Sequence, residues 1–267
     1  MKTLFLALLF PFIAQASICI EQLDDKGEVS WLHCPRNITT VASGPLTERE
    51  VLWQLPAGTA PRKGWPVVLL SQGSWFPIEF SRPRHLPFGG FHEVRLIQTL
   101  LDNGYAVIAP RATLQIGWTT NLPLPNYKWT SDFRVLTEIM QKIKAGDFGK
   151  LNSDRLYATG ISSGGYNTSR LVLTFPEKFR AIAIQSASYA TCLGPACVIP
   201  NSLPAHHPPT LLLHGARDLT VPLFTARWFE EKLQANGIEV KMVINAEAGH
   251  AWLSEAPEAI LDWFETH

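Results

Sequence analysis

Neither sign of charge is in excess in this sequence: 23 Lys and Arg balance 23 Asp and Glu, and only 17% of its 267 residues are charged. Without a basic surplus there is no electrostatic footprint for nucleic acid, and without an acidic run there is no solvated, disordered tail. Long apolar runs are missing beyond the first sixteen residues. None approaches the roughly 18 uninterrupted apolar residues of a transmembrane helix, so no transmembrane segment is expected. No repeat with a period of about 20 to 50 residues recurs, which excludes a solenoid or propeller, and no linker divides the chain. The length then suits one domain with a sizeable core.

What is present begins with Lys2, an apolar run from Leu4 to Ala14, and the small-x-small triplet Ala14-Gln15-Ala16. That is the pattern of a signal peptide over residues 1–16, cleaved after Ala16. A lipoprotein reading of Cys19 meets Ile18, where a small residue is required. All four cysteines, Cys19, Cys34, Cys192 and Cys197, survive cleavage, and an even count in an exported chain favours disulfides. Three pairings are open. Sequence proximity favours Cys19 with Cys34 and Cys192 with Cys197, and unpaired buried thiols are the alternative. The expected location is extracellular or periplasmic. Residues 17–64 are expected to form an N-terminal segment of the same domain as a core over residues 65–267.

From Trp65 onward, brief aliphatic runs alternate with longer amphipathic stretches, the mark of a mostly parallel central sheet with helices on both faces. Buried strands are expected at Pro66 to Leu70, Ala106 to Ala109, Arg155 to Thr159, Ala181 to Gln185, Thr210 to His214 and Val240 to Asn245. Helices are expected at Val94 to Leu101, from caps at Ser131 or Asp132 through Ile143, from Tyr166, at Leu223 to Leu233, and at Pro257 to Phe264. Three irregular segments interrupt the alternation: Gly73 to Gly90, Gly117 to Lys128 and Tyr189 to Pro209. They follow strands, where an open α/β sheet places its site.

Gly160-Ile161-Ser162-Ser163-Gly164 follows a strand and precedes a helix, the context of a nucleophile elbow in an α/β-hydrolase fold. Its turn is sharp, and glycines at both ends keep side chains out of the neighbouring strand and helix. Only Ser162 has a glycine two residues away on each side. A serine hydroxyl needs a base, and the base needs a partner to hold its tautomer. Asp218, in the loop from Gly215 to Pro222, and His250, behind Ala248-Gly249, follow strands in the order this fold requires. Asp218 could instead cap the helix near Val221, although Thr220 offers a nearer cap. The oxyanion donors are expected to be the backbone N–H groups of Ser163 and of Ser74, in the Gln72-Gly73-Ser74 loop. Nine tryptophans, four of them (Trp75, Trp118, Trp129 and Trp252) in or near the irregular segments or beside His250, suggest an apolar acyl site or a surface that adheres to hydrophobic material.

At these residues the chain resembles the extracellular depolymerases of medium-chain-length polyhydroxyalkanoates, which also carry a Gly-Ile-Ser-Ser-Gly elbow. The likeness runs from about Trp65 to the end and includes the Gln72 loop, the acid loop and the base loop. The resemblance implies Ser162 as nucleophile, Asp218 as orienting acid and His250 as base. It further implies a hydrophobic polyester substrate of 3-hydroxy acids, such as poly(3-hydroxyoctanoate), no cofactor and no separate binding domain. A lipase or carboxylesterase for small esters is the first alternative. A non-catalytic binding protein on a hydrolase scaffold is the second. The oligomeric state is left open.

Overall fold

A computed structural model describes residues 17–120 and 124–267. The expected signal peptide, residues 1–16, lies outside them, as do residues 121–123 of the segment from Gly117 to Lys128. The described strands are β1 (Ile20–Leu23), β2 (Val29–His33), β3 (Asn37–Gly44), β4 (Thr47–Gln54), β5 (Trp65–Ser71) and β6 (Ser81–Pro83). They continue with β7 (Ala106–Pro110), β8 (Leu151–Ile161), β9 (Phe179–Gln185), β10 (Thr210–Gly215) and β11 (Val240–Asn245). The helices are α1 (Gly90–Asp102), α2 (Leu124–Tyr127), α3 (Ser131–Ala145), α4 (Ser163–Thr174), α5 (Leu223–Ala235) and α6 (Ala256–Thr266).

Eight strands form one sheet in the order β11-β10-β9-β8-β5-β7-β4-β3. From β11 to β7 neighbours run parallel, while β4 is antiparallel to both β7 and β3. This is an α/β-hydrolase sheet. Side chains alternate along each strand, so β5 sends Val68 and Leu70 to one face and Val67 and Leu69 to the other. The first face is covered by α1 and α6 through residues such as Ile97, Ile260 and Phe264. The second is covered by α3, α4 and α5 through Ile139, Leu171 and Phe229. A separate antiparallel sheet, β1-β2-β6, lies beside the first face, and the Cys19–Cys34 disulfide joins its flanks. Cys192 is bonded to Cys197, so both pairs favoured by proximity are present.

Three local expectations change. β11 is only half-buried, because it is the edge strand and has a neighbour on one side alone. The α3 cap is Thr130, whose Oγ1 accepts the Phe133 N–H at 3.1 Å. Asp132, expected to cap, is instead drawn into a buried cluster with Arg49, Thr113 and the Thr119 N–H. The N-cap of α5 is Pro222 rather than Thr220.

Glu93 on α1 is fully buried beneath the sheet's first face, where its Oε2 accepts the Trp252 indole N–H at 3.0 Å. Burial is the main cause of its raised pKa, which the indole hydrogen bond and the Arg82 and Arg111 charges only partly offset; the result is about 8. The folded chain therefore holds a proton that the unfolded chain releases above the ordinary value of 4.5. The contribution of Glu93 to stability is full below that pH, declines as pH rises toward 8, and is lost by of order 4 kcal/mol across the window. Glu93→Gln keeps an acceptor for Trp252 but cannot ionise. Urea unfolding of this variant should lose much less stability over the same pH range than the parent.

Candidate active site

The elbow is built by close backbone approach. Ser162 follows β8 directly and stands at the head of α4 with φ 57° and ψ −123°, a conformation that costs a non-glycine residue roughly 1–3 kcal/mol. Its N–H donates to Gln185 O at 3.0 Å, and its carbonyl accepts the Tyr166 N–H at 3.0 Å, so both neighbours hold the strained turn. A Cβ at Gly160 would lie 2.5 Å from Gly164 O, and one at Gly164 would lie 2.1 Å from Ser71 O. No side chain fits at either position. Strand, turn and helix thereby push the Ser162 side chain out at the carboxyl end of the sheet.

Asp218 and His250 meet from the loops after β10 and β11. His250 Nδ1 lies 2.7 Å from Asp218 Oδ2, while Asp218 Oδ1 accepts the N–H groups of Thr220 at 2.9 Å and Val221 at 2.8 Å. Burial opposes ionisation of Asp218. The hydrogen bonds from His250 and Val221 and the nearby His250 and His214 rings outweigh it, and the carboxyl stays below the ordinary carboxylate value. A carboxylate that accepts a hydrogen bond from Nδ1–H fixes the proton there and leaves the lone pair of the imidazole on Nε2. His250 and Ser162 line the same hollow, with Gly73, Phe76 and Phe88 around them. Phe88 sits edge-on to the imidazole, ring centres 6.5 Å apart.

The Gln72-Gly73-Ser74 loop leaves β5 beside the elbow. A Cβ on Gly73 would lie 3.7 Å from Ser162 Cβ, and Ser74 lines the Ser162 hollow. Gln72 fixes the loop from below: its Oε1 accepts the Ala112 N–H at 3.0 Å, its Nε2 donates to Gln115 O at 3.1 Å, and its carbonyl accepts the Trp118 indole N–H at 3.1 Å. Ser163 opens α4, and its Oγ is buried with no hydrogen-bond partner among the described residues. All five expected residues, Ser162, Asp218, His250, Ser163 and Ser74, therefore gather at one rim of the sheet.

Several supports were not visible in the sequence reading. Gly215 lets the acid and base loops lie against each other, since a Cβ there would come within 2.3 Å of Ala248 O. His214, the last residue of an expected strand, lies 3.6 Å from Asp218 Oδ2 and donates its Nε2–H to Val221 O at 2.8 Å. Burial lowers its pKa, so the ring beside the carboxylate is kept neutral. The base loop is tied down by Trp252, whose N–H bonds Phe88 O and whose indole bonds Glu93. Asn167, in a glycosylation-type triplet, is fully buried and bonds Ser71 Oγ, which leaves no access for a glycan. The Gly215 spacing was legible as a loop start, but its partner thirty-odd residues on was not.

A model of the prolyl oligopeptidase family matches residues 198–267, the part that carries the acid and base loops. Among solved structures, a ferulic acid esterase superposes with a TM-score of 0.61 at 17% identity, covering 87% of this chain and 96% of its own. An acylaminoacyl peptidase of Pyrococcus horikoshii superposes with a TM-score of 0.59 at 16% identity, over 90% of this chain and 42% of its own. At such identities these two establish the fold alone. A poly(3-hydroxyoctanoate) depolymerase of Pseudomonas fluorescens is 47% identical over 255 residues, 94% of this chain and 92% of that protein. The chain accordingly belongs to the poly(3-hydroxyoctanoate) depolymerase family, serine ester hydrolases of the α/β-hydrolase fold.

Proposed function

We propose that the protein is a secreted depolymerase that cleaves the ester bonds of medium-chain-length poly(3-hydroxyalkanoate), such as poly(3-hydroxyoctanoate), through an acyl-serine intermediate. The observation that carries this reading is the Asp218–His250 pair, 2.7 Å apart, with the imidazole facing the hollow it shares with Ser162. His250 takes the Ser162 proton as Oγ attacks the ester carbonyl, and Asp218 steadies the imidazolium. The tetrahedral oxyanion is held by the N–H groups of Ser163 and Ser74. His250 then protonates the departing alkoxide oxygen, and later draws a proton from the water that releases the acyl group. No step calls for a cofactor. Residues 17–64 belong to the same unit as the core, since β3 and β4 extend its sheet. Secretion is supported by the leader-like first sixteen residues and by two disulfides.

The experiment is to add purified protein to a turbid suspension of poly(3-hydroxyoctanoate). Clearing with release of 3-hydroxyoctanoate oligomers is expected. A clear failure alongside rapid turnover of a soluble p-nitrophenyl ester would favour the small-ester reading. Labelling of Ser162 by a fluorophosphonate excludes the non-catalytic alternative.

A polymer reading is favoured by the site's surroundings. Trp75, Leu114 and Leu219 are 77%, 83% and 95% exposed, and each stands on a loop at the carboxyl end of the sheet. Trp75 N–H bonds Ile116 O at 2.8 Å, which joins the Ser74 loop to the Leu114 loop. Large apolar side chains held in water at a catalytic mouth suit an insoluble, hydrophobic substrate. In Leu114→Ser/Leu219→Ser, the ratio of polymer clearing to soluble-ester turnover should fall by about tenfold, roughly the loss of two exposed anchors. An unchanged ratio would remove this support.

A further inference from the structure

Two hollows meet at Ser162, and they differ in size and chemistry. The one that contains His250 is about 50 Å³, with Phe76 and Phe88 in its walls. The other is about 400 Å³ and reaches from Ser162 and Ser163 along Trp75, Trp118, Tyr166 and Leu193, without His250. The chemistry of ester cleavage assigns them. As the carbonyl C–O bond breaks, the alkoxide oxygen takes the proton that His250 received from Ser162, so the leaving alcohol must lie beside the imidazole. The oxyanion turns toward the Ser163 N–H. The acyl carbon chain is left with the remaining direction, away from His250 and into the larger hollow.

We propose that the 400 Å³ hollow is the acyl subsite and that the loop closed by the Cys192–Cys197 disulfide sets how long an acyl chain it accepts. The inference rests on the roles given above to Ser162 and His250. The loop is built as a stiff wall. Leu193 and Ala196 exchange backbone hydrogen bonds at 2.7 and 3.0 Å inside the disulfide, and Thr191 Oγ1 bonds Val198 O at 2.6 Å just outside it. At its far side Gly194 packs on the acid loop, where a Cβ would come within 3.3 Å of Thr220 O. A wall that cannot yield discriminates by size, because an extra methylene has nowhere to go. The space suits a medium-length hydrocarbon chain and is far larger than an acetyl group. Each methylene buried there should raise specificity about fourfold until the wall is met.

Two isomeric esters separate the sides: ethyl octanoate carries its long chain on the acyl half, and octyl acetate carries it on the alcohol half. The wild-type protein should cleave ethyl octanoate with the higher kcat/KM. Leu193 is 65% exposed on a surface loop, so it can be replaced without disturbing the core. Leu193→Trp narrows the hollow at this wall and should lower kcat/KM for ethyl octanoate at least tenfold more than for octyl acetate, about the weight of one or two methylenes in a rigid pocket. Leu193→Ala should shift the preferred acyl chain to greater length. A wild-type preference for octyl acetate, or equal losses on both isomers in Leu193→Trp, would overturn the assignment. Failure of the wild-type protein to cleave either isomer would instead overturn the roles of Ser162 and His250, and the subsite with them.

Discussion

Ser162→Ala should abolish ester cleavage, lowering kcat by about 10⁴-fold or more, while leaving the fold in place. On the proposed mechanism the loss is large because the hydroxyl is the atom that bonds to the substrate, and no neighbouring group stands in for it. Ser163 is adjacent, but its Oγ is buried and Ser163 is not among the residues that line the His250 hollow. Folding is spared for an equally local reason. The backbone bonds of Ser162, from its N–H to Gln185 O and from Tyr166 N–H to its carbonyl, do not involve the side chain. Alanine carries no more strain at φ 57° than serine does. The check is a p-nitrophenyl ester assay beside a thermal melt. Activity above about one hundredth of wild type, in protein with an unshifted melt, would dismiss Ser162 as nucleophile.

Asp218→Asn should cost nearly as much, of order 10³- to 10⁴-fold in kcat, for a subtler reason. The carboxylate has one oxygen satisfied by the Thr220 and Val221 N–H groups and the other facing His250 Nδ1. An amide can keep its oxygen on the two backbone donors only by turning its NH₂ toward the imidazole. Nδ1 must then accept, the ring proton moves to Nε2, and the side of the ring that faces Ser162 no longer offers a lone pair. Substrate binding does not pass through Asp218, so KM should change little while kcat falls. A variant with kcat within tenfold of wild type would show that the imidazole keeps its tautomer by other means. His214 is the local candidate, since its neutral ring also borders the Asp218 carboxylate.

The strands and helices from Trp65 to the end were largely legible, because each is a run of apolar residues with its own period and stop signals. Val240–Asn245 is β11 at the bounds read from the sequence, and α5 begins at Leu223 as expected. The strands before Trp65 were not read. β3 and β4 form the far edge of the sheet, with most side chains on one face in water, and their Thr, Glu and Arg residues disguise the alternation. The caps of α3 and α5 were misplaced for a related reason. A Ser, Thr or Asp near a helix start marks a capacity to cap, and Asp132 is claimed by Arg49 from another part of the chain.

The sequence alone determined what a few consecutive residues can enforce: the sharp turn at Ser162 between two glycines, the order of acid and base, the strand and helix rhythm, and the short cysteine spacings. These rest on backbone sterics and periodicity, which act within a turn or two of chain. Only the tertiary structure decided that the Gln72 side chain would fasten the Ser74 loop, that Gly215 would seat the base loop, and that Glu93 would hold Trp252 from 159 positions away. Such contacts exist because distant segments are closed onto one sheet, and no local pattern specifies which two will meet.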